Sequence, residues 1–273
     1  MKIAIIGGDS RMLTATRLFK KAGFDCREAA LGTPDCIGVS DAVKWADAAV
    51  LPMPFEKERF LNAPFAKSKI SVKEIFDACG EKTLFIGGGL PKEGKNYIDY
   101  SKREDFLLKN AVPTAEGAIE IAIRETDITL WDSRSIVIGY GRIGSVLCDI
   151  LKGFNSKTTV ITRSLQSRAR AEISGTRAVG FEDIEAPLSD ADIVFNTVPF
   201  TVLGENELSF IKPSVPVIDL ASLPGGIDES ALAGREIKFI RALALPGKTA
   251  PVTAGKIIFD TVLSILAERG VAV

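Results

Sequence analysis

The chain has 273 residues, 46% hydrophobic and 25% charged, a composition that supports a sizeable buried core and as many as two ordinary domains. Its 34 Lys and Arg balance 35 Asp and Glu, so no net positive field draws it to nucleic acid or an anionic membrane face. It contains no histidine, which excludes Ser-His-Asp hydrolysis and every mechanism that needs imidazole as proton carrier or metal ligand.

Cys26, Cys36, Cys79 and Cys148 form no C-x-x-C pair, so no metal site is expected and they read as reduced, mostly buried thiols. The first residues reach Gly7 after too short an apolar run for a signal-peptide core or a membrane span, and a cytoplasmic protein is expected. Short β-branched runs then alternate with helical stretches, which predicts an α/β fold of two doubly wound, Rossmann-like domains with parallel sheets and an interdomain cleft.

In chain order, strands are predicted at 2–6, 24–29, 48–51 and 83–86, with a helix at 10–22. A hinge helix is predicted to open at Pro113 and Thr114 and to run to 126. Strands follow at 135–138, 158–162, 193–196, 215–220 and 238–242, with helices between most of them. A last amphipathic helix at 253–268 is expected to pack back onto the first unit. The resulting division is residues 1–112 plus 252–273 on the substrate side and 113–251 as the nucleotide-binding Rossmann domain.

The strand at 135–138 runs into Gly139-Tyr140-Gly141-Arg142-Ile143-Gly144, and a helical stretch follows. Glycines there permit a tight turn, close approach of backbone to pyrophosphate and helix-strand contact, with the helix N-terminus facing the anion. The competing reading is a purely structural glycine turn. Where an NAD domain carries Asp or Glu at the end of its second strand, this chain has Thr162-Arg163-Ser164 with Arg168 close behind. A guanidinium beside a hydroxyl suits a 2′-phosphate, so NADP(H) is expected unless Arg163 is a plain surface residue. Thr197-Val198-Pro199 and Leu220-Ala221-Ser222 follow later strands and are expected to border the same cofactor.

These motifs resemble the dipicolinate synthase A-subunit family over most of the chain. The resemblance is carried by Gly7-Gly8-Asp9-x-Arg11, Pro113-Thr114-Ala115-Glu116-Gly117, the glycine fingerprint, Asn196-Thr197-Val198-Pro199, the run from Asp219 to Gly226, and the run from Leu245 to Gly255. It implies a protein of spore-forming bacteria, in the mother cell, that oxidises dihydrodipicolinate to dipicolinate with NADP+ beside a smaller, flavoprotein-like B-subunit. It also implies the two-domain plan of 2-hydroxyacid dehydrogenases, whose catalytic histidine this chain lacks. A second reading is a non-catalytic nucleotide-binding protein that docks the B-subunit. Self-association into a homo-oligomer stays open.

A small dicarboxylate needs fixed donors and a cation. Arg11, Gly88, Gly89, Thr114 and Lys248 are the substrate-side candidates, against readings as a helix cap and ion pair, a flexible turn and an exposed lysine. Glu116 and Asp9 are the candidates for a base, Glu116 because a helix start at 114 would set it between the domains, although a carboxylate there also suits the helix dipole.

Overall fold

In the first unit of the fold a parallel sheet is covered on both faces, which requires strands that are apolar on both sides. The structure is a computed structural model that describes residues 1–78, 83–91 and 94–271, so Cys79 lies outside the described residues. The chain divides into Met1–Asn110 with Ala250–Val273, and Ala111–Thr249. The first unit contains β1 (Lys2–Ile6), α1 (Ser10–Lys21), β2 (Asp25–Ala29), α2 (Val39–Trp45), β3 (Ala48–Val50), the short pair β4 (Glu56–Lys57) and β5 (Phe60–Leu61), α3 (Val72–Asp77), β6 (Leu84–Gly87) and β7 (Tyr97–Asp99).

Its main sheet runs β2-β1-β3-β6-β7, all parallel. Successive side chains of β1 alternate between faces. Ile3 and Ile5 join Met12, Phe19 and Phe106 on one side, while Ala4 and Ile6 join Val43, Ile75 and Phe76 on the other.

Helix α4 (Glu104–Glu125) corrects the expected hinge helix: it starts at Glu104, not Thr114, with Pro113 inside it. Proline lacks the N–H for one backbone bond, a loss of about 3 kcal/mol in a helix interior. Residues before it offset that loss, because Phe106 is buried against Tyr100 at 4.9 Å and carries the helix into the core. Local sequence marks the proline as a start, and tertiary packing overrides it.

The second unit contains β8 (Arg134–Ile138), α5 (Arg142–Gly153), β9 (Lys157–Ile161), α6 (Leu165–Ile173), β10 (Arg177–Val179), α7 (Glu185–Asp190), β11 (Ile193–Asn196), α8 (Glu205–Ser209), β12 (Pro216–Asp219), β13 (Lys238–Arg241) and α9 (Leu245–Thr249). Its parallel sheet has the order β10-β9-β8-β11-β12-β13. Strand β10 is absent from the strands that the sequence predicts, since it is a short edge strand with no buried residue.

The chain closes with α10 (Pro251–Glu268). Gly255 lets it approach α1 closely, because a Cβ there would strike the Arg11 carbonyl and Thr14. Ile258, Val262, Ile265 and Leu266 are buried in the same core as Phe19. The expectation of mostly buried thiols is corrected: Cys148 is buried, but Cys26 and Cys36 are half-buried. No helix among the described residues is long and apolar enough to cross a membrane.

Candidate functional site

In the second sheet the chain order reverses between β8 and β11, and ligands of open α/β sheets bind outside the carboxyl ends of strands at such a point. Around that point the turns that leave the sheet on that edge are Gly139–Gly141 after β8, Thr162–Ser164 after β9, Thr197–Pro199 after β11 and Leu220–Ser222 after β12.

The glycines of the first turn have different physical causes. Gly139 has φ +92° and abuts Thr197 and Val198, and a Cβ on Gly144 would overlap the Gly139 carbonyl. Both are therefore required by the protein itself. Gly141 is different: its φ is −89°, it is the N-cap of α5, and a Cβ would meet nothing within 4 Å. Tyr140 turns inward, 5% exposed, with its hydroxyl 2.6 Å from Ser174 Oγ.

At the end of β9, Thr162 is buried and its Oγ1 accepts from Ser164 N at 3.3 Å. Ser164 caps α6 by accepting from Ser167 N. Arg168 is occupied: it donates to the Thr162 carbonyl at 3.2 Å and pairs with Glu182 at 2.8 Å. Arg163 is exposed, makes no ion pair among the described residues and lies 4.8 Å over the ring of Phe181.

The turns after β11 and β12 are joined by a buried polar network that local sequence shows only as ordinary turn chemistry. Asn196 and Asp219 are both fully buried. Asn196 Nδ2 donates to Asp219 Oδ1 at 2.8 Å and to the Val198 carbonyl at 2.9 Å. Asp219 also accepts from the N–H groups of Ala221 and Gly226 and has Arg241 at 3.7 Å. The readable signal is a polar residue ending each of two apolar strands. Arg241 and Phe181 carry no such local signal.

In the first unit, Asp9 caps α1 and accepts from Arg11 Nε at 2.9 Å and Nη2 at 2.9 Å. Arg11 is 6% exposed and also donates to the Met53 carbonyl at 2.6 Å, so it pairs in the interior rather than on the surface. The Gly8 N–H is taken by Asn62 O, the Gly88 N–H by Pro52 O and the Gly89 N–H by Asp99. Gly88 has a packing cause, since a Cβ there would press on Met53, and Gly89 has φ +77°.

The remaining candidates lie in the second unit. Thr114 is buried inside α4, not at its start. Glu116, expected near a helix start, is an exposed residue in the middle of α4, so the reasons given for it from position and dipole fall away. Lys248, expected in a loop, is exposed in the short helix α9. Two motifs meet here: Gly117 leaves room for Leu245 and Thr249, and Thr249 Oγ1 donates to Glu120 at 3.2 Å. Among the described residues no cluster of carboxylates and thiols could hold a metal ion.

The N-terminal domain of the dipicolinate synthase A-subunit matches residues 2–106, and the NAD-binding domain of D-isomer specific 2-hydroxyacid dehydrogenases matches residues 116–234. The dipicolinate synthase A-subunit of Bacillus subtilis (strain 168) is 28% identical over 98% of this chain and 96% of its own length. The crystal structure of the A-subunit from Bacillus halodurans superposes with a TM-score of 0.89 at 28% identity, covering 97% of each chain. That of its Bacillus subtilis counterpart gives 0.84 at 27%, covering 98% of this chain and 96% of its own. Over nearly its whole length the chain is similar to dipicolinate synthase A-subunits.

The second unit is a dehydrogenase-type dinucleotide domain, which supports an oxidoreductase that takes a nicotinamide dinucleotide. Gly141 fits that cofactor on its own evidence. The fold does not need a glycine there, and bare backbone at the head of α5, whose leading N–H groups lack intrahelical acceptors, suits close approach of a pyrophosphate.

Proposed function

We propose that this chain oxidises dihydrodipicolinate to dipicolinate with NADP+, beside a flavoprotein-like B-subunit in the mother cell of a sporulating bacterium. The observation that carries the cofactor choice is Arg163, an exposed guanidinium next to Ser164 at the strand end where an NAD domain places a carboxylate. Gly139, Gly141, Arg142, Ile143 and Gly144 hold the pyrophosphate. Thr162, Arg163 and Ser164 receive the 2′-phosphate, with Arg168 bracing Thr162 from behind. Thr197, Val198, Pro199, Leu220, Ala221 and Ser222 flank the rest of the dinucleotide, fixed by the Asn196 to Asp219 bond.

NADP+, when bound, supplies the hydride acceptor. The substrate loses a hydride and a proton and becomes aromatic, so the chain's own task is mainly orientation. Arg11 is the cation offered to a substrate carboxylate in the first unit, where the Gly88 and Gly89 N–H groups are already taken by Pro52 O and Asp99; Thr114 and Lys248 are the separate candidates of the second unit. Asp9 holds the Arg11 guanidinium in place, which makes it a positioning group, and leaves Glu116 or water to take the proton.

The test is to mix the chain alone with dihydrodipicolinate and NADP+ and follow NADPH absorbance. Growth of NADPH supports the reading. The rival, a nucleotide-binding protein that leaves the chemistry to the B-subunit, is favoured by one observation: the turns after β8, β9, β11 and β12 hold no exposed carboxylate, Asp219 being buried and bonded. It predicts no NADPH until the B-subunit is supplied.

A further inference from the structure

The sequence points to Arg163 as the residue that reads the cofactor's 2′-phosphate, but a lone exposed arginine is a weak reader. Its side chain has many rotamers, and ordering them on binding consumes affinity. A carboxylate partner would order it, yet would occupy the donors that a phosphate needs. The structure orders it by another route. The guanidinium of Arg163 lies 4.8 Å over the centroid of the Phe181 ring. An aromatic ring attracts the cation through its face and accepts no carboxylate-like N–H bonds, so the guanidinium's donors stay available to a phosphate.

Phe181 is delivered by the edge of the sheet. It follows β10, whose pairing to β9 carries the chain back past the strand end that bears Thr162 and Arg163. The Thr162 N–H donates to the Val179 carbonyl at 3.1 Å, which ties the two strand ends together. The next residue, Glu182, takes Arg168 instead, at 2.8 Å. One turn therefore separates two neighbouring arginines: Glu182 neutralises Arg168, and Phe181 orders Arg163 without neutralising it.

We propose that Phe181 is a positioning residue for recognition of the 2′-phosphate, acting through Arg163 and setting how strongly the site prefers NADP(H) over NAD(H). The proposal rests on the NADP(H) reading above. It assigns Phe181 no contact with the phosphate, and predicts that the benefit of its ring disappears when the guanidinium is absent.

Equilibrium binding to the full chain, without substrate, tests this with NADPH, NADH, 2′,5′-ADP and 5′-AMP as probes. Phe181→Leu is expected to weaken NADPH and 2′,5′-ADP about 3- to 30-fold while NADH and 5′-AMP stay within about 2-fold. Phe181→Tyr, which keeps the ring face, restores parent binding, and Phe181→Leu adds nothing in an Arg163→Ala background. Equal weakening of all four probes by Phe181→Leu, or additive losses in the double variant, overturns the proposal, since either would mark the ring as packing only. Arg163→Lys is the folding-safe control: it keeps the charge and loses the planar fork, so its NADPH affinity should depend on Phe181 less than the parent's does. If Arg163→Ala leaves the NADPH to NADH ratio unchanged, the NADP(H) reading falls and takes the proposal with it. If only the Phe181 effects fail, that reading stands.

Discussion

Asn196 donates to Asp219 at 2.8 Å across the ends of two adjacent strands, and both side chains are fully buried. Asp219→Ala would strand one N–H of the Asn196 amide and the N–H groups of Ala221 and Gly226 at once, while Arg241 keeps its pair with Glu229. Each orphaned buried donor costs about 1–3 kcal/mol, so a loss of about 3 kcal/mol or more is expected in denaturant unfolding. Asp219→Asn keeps the shape and part of the accepting capacity and should lose less. An Asp219→Ala protein as stable as the parent would show that the network does not hold these turns.

Gly141 and Gly144 should separate folding from cofactor binding. Gly144→Ala forces a Cβ onto the Gly139 carbonyl, so the thermal midpoint should fall along with nucleotide affinity. Gly141→Ala finds open space at an ordinary φ of −89°. Its stability should drop by no more than about 1 kcal/mol for the poorer N-cap, while NADPH binding falls by at least about 10-fold. Thermal unfolding and fluorescence titration on the same samples check both halves.

Replacing Arg163 by Asp would put a carboxylate where a ribose 2′-hydroxyl is held in NAD domains. The loss of a charge-assisted bond of about 1.5–3 kcal/mol predicts roughly 10- to 150-fold weaker NADPH binding, with NADH unchanged or improved. Equal dissociation constants for the two cofactors in the unaltered chain would sink the cofactor assignment.

Acid should loosen the first unit through one arginine. Arg103 donates two bonds of 2.8 Å to Glu268 and bonds of 3.0 and 3.2 Å to Asp105. These bonds hold the Glu268 and Asp105 carboxyls below their ordinary values, and the Arg103 guanidinium correspondingly above its own. A carboxyl whose folded value is depressed adds stability above its unfolded value, near pH 4, and that contribution is lost as pH falls through the folded value. The gap in melting temperature between the parent and Arg103→Met should therefore narrow as pH drops from about 6 to about 3. A gap that is constant across this range would mean the bonds contribute nothing that titrates.

Some of this architecture is legible because its causes are local. The glycine turn at 139–144 is one, since strand, turn and helix are contiguous and Gly139 and Gly144 answer to backbone geometry within a few residues. Pro113 misleads for the opposite reason: its neighbours fit a helix start, and only the packing of Phe106 on Tyr100 shows the helix already under way. Strand β10 and Phe181 escape a reading of the sequence because an edge strand with no buried residue has no apolar pattern to read. Arg11 stands out in the sequence as a cation at a helix start, but its burial against the Met53 carbonyl depends on a residue 42 positions away in the chain.

The absence of histidine makes a prediction about rate that does not depend on which residue takes the proton. Imidazole is the side chain whose ordinary value lies between about pH 6 and 7, and this chain has none. A thiol could stand in only if its value were lowered, yet burial pushes Cys26 up to about 11 and Cys148 up to about 12. In the proposed reaction aromatisation of the substrate lets water accept the proton, so the proposed NADP-linked step need not titrate in this window at all. The rate of NADPH formation should therefore run flat between about pH 6 and 7. Glu116→Gln and Asp9→Asn are the informative variants, because each keeps shape and removes a carboxylate, and in the second the cap and the bonds to Arg11 are only partly replaced. An inflection in the parent that vanishes in Glu116→Gln would identify that carboxylate as the proton acceptor. An inflection that survives in both variants would place the ionising group on the substrate, on Lys248 or on a partner protein, and would count against Glu116 and Asp9 as the proton acceptor.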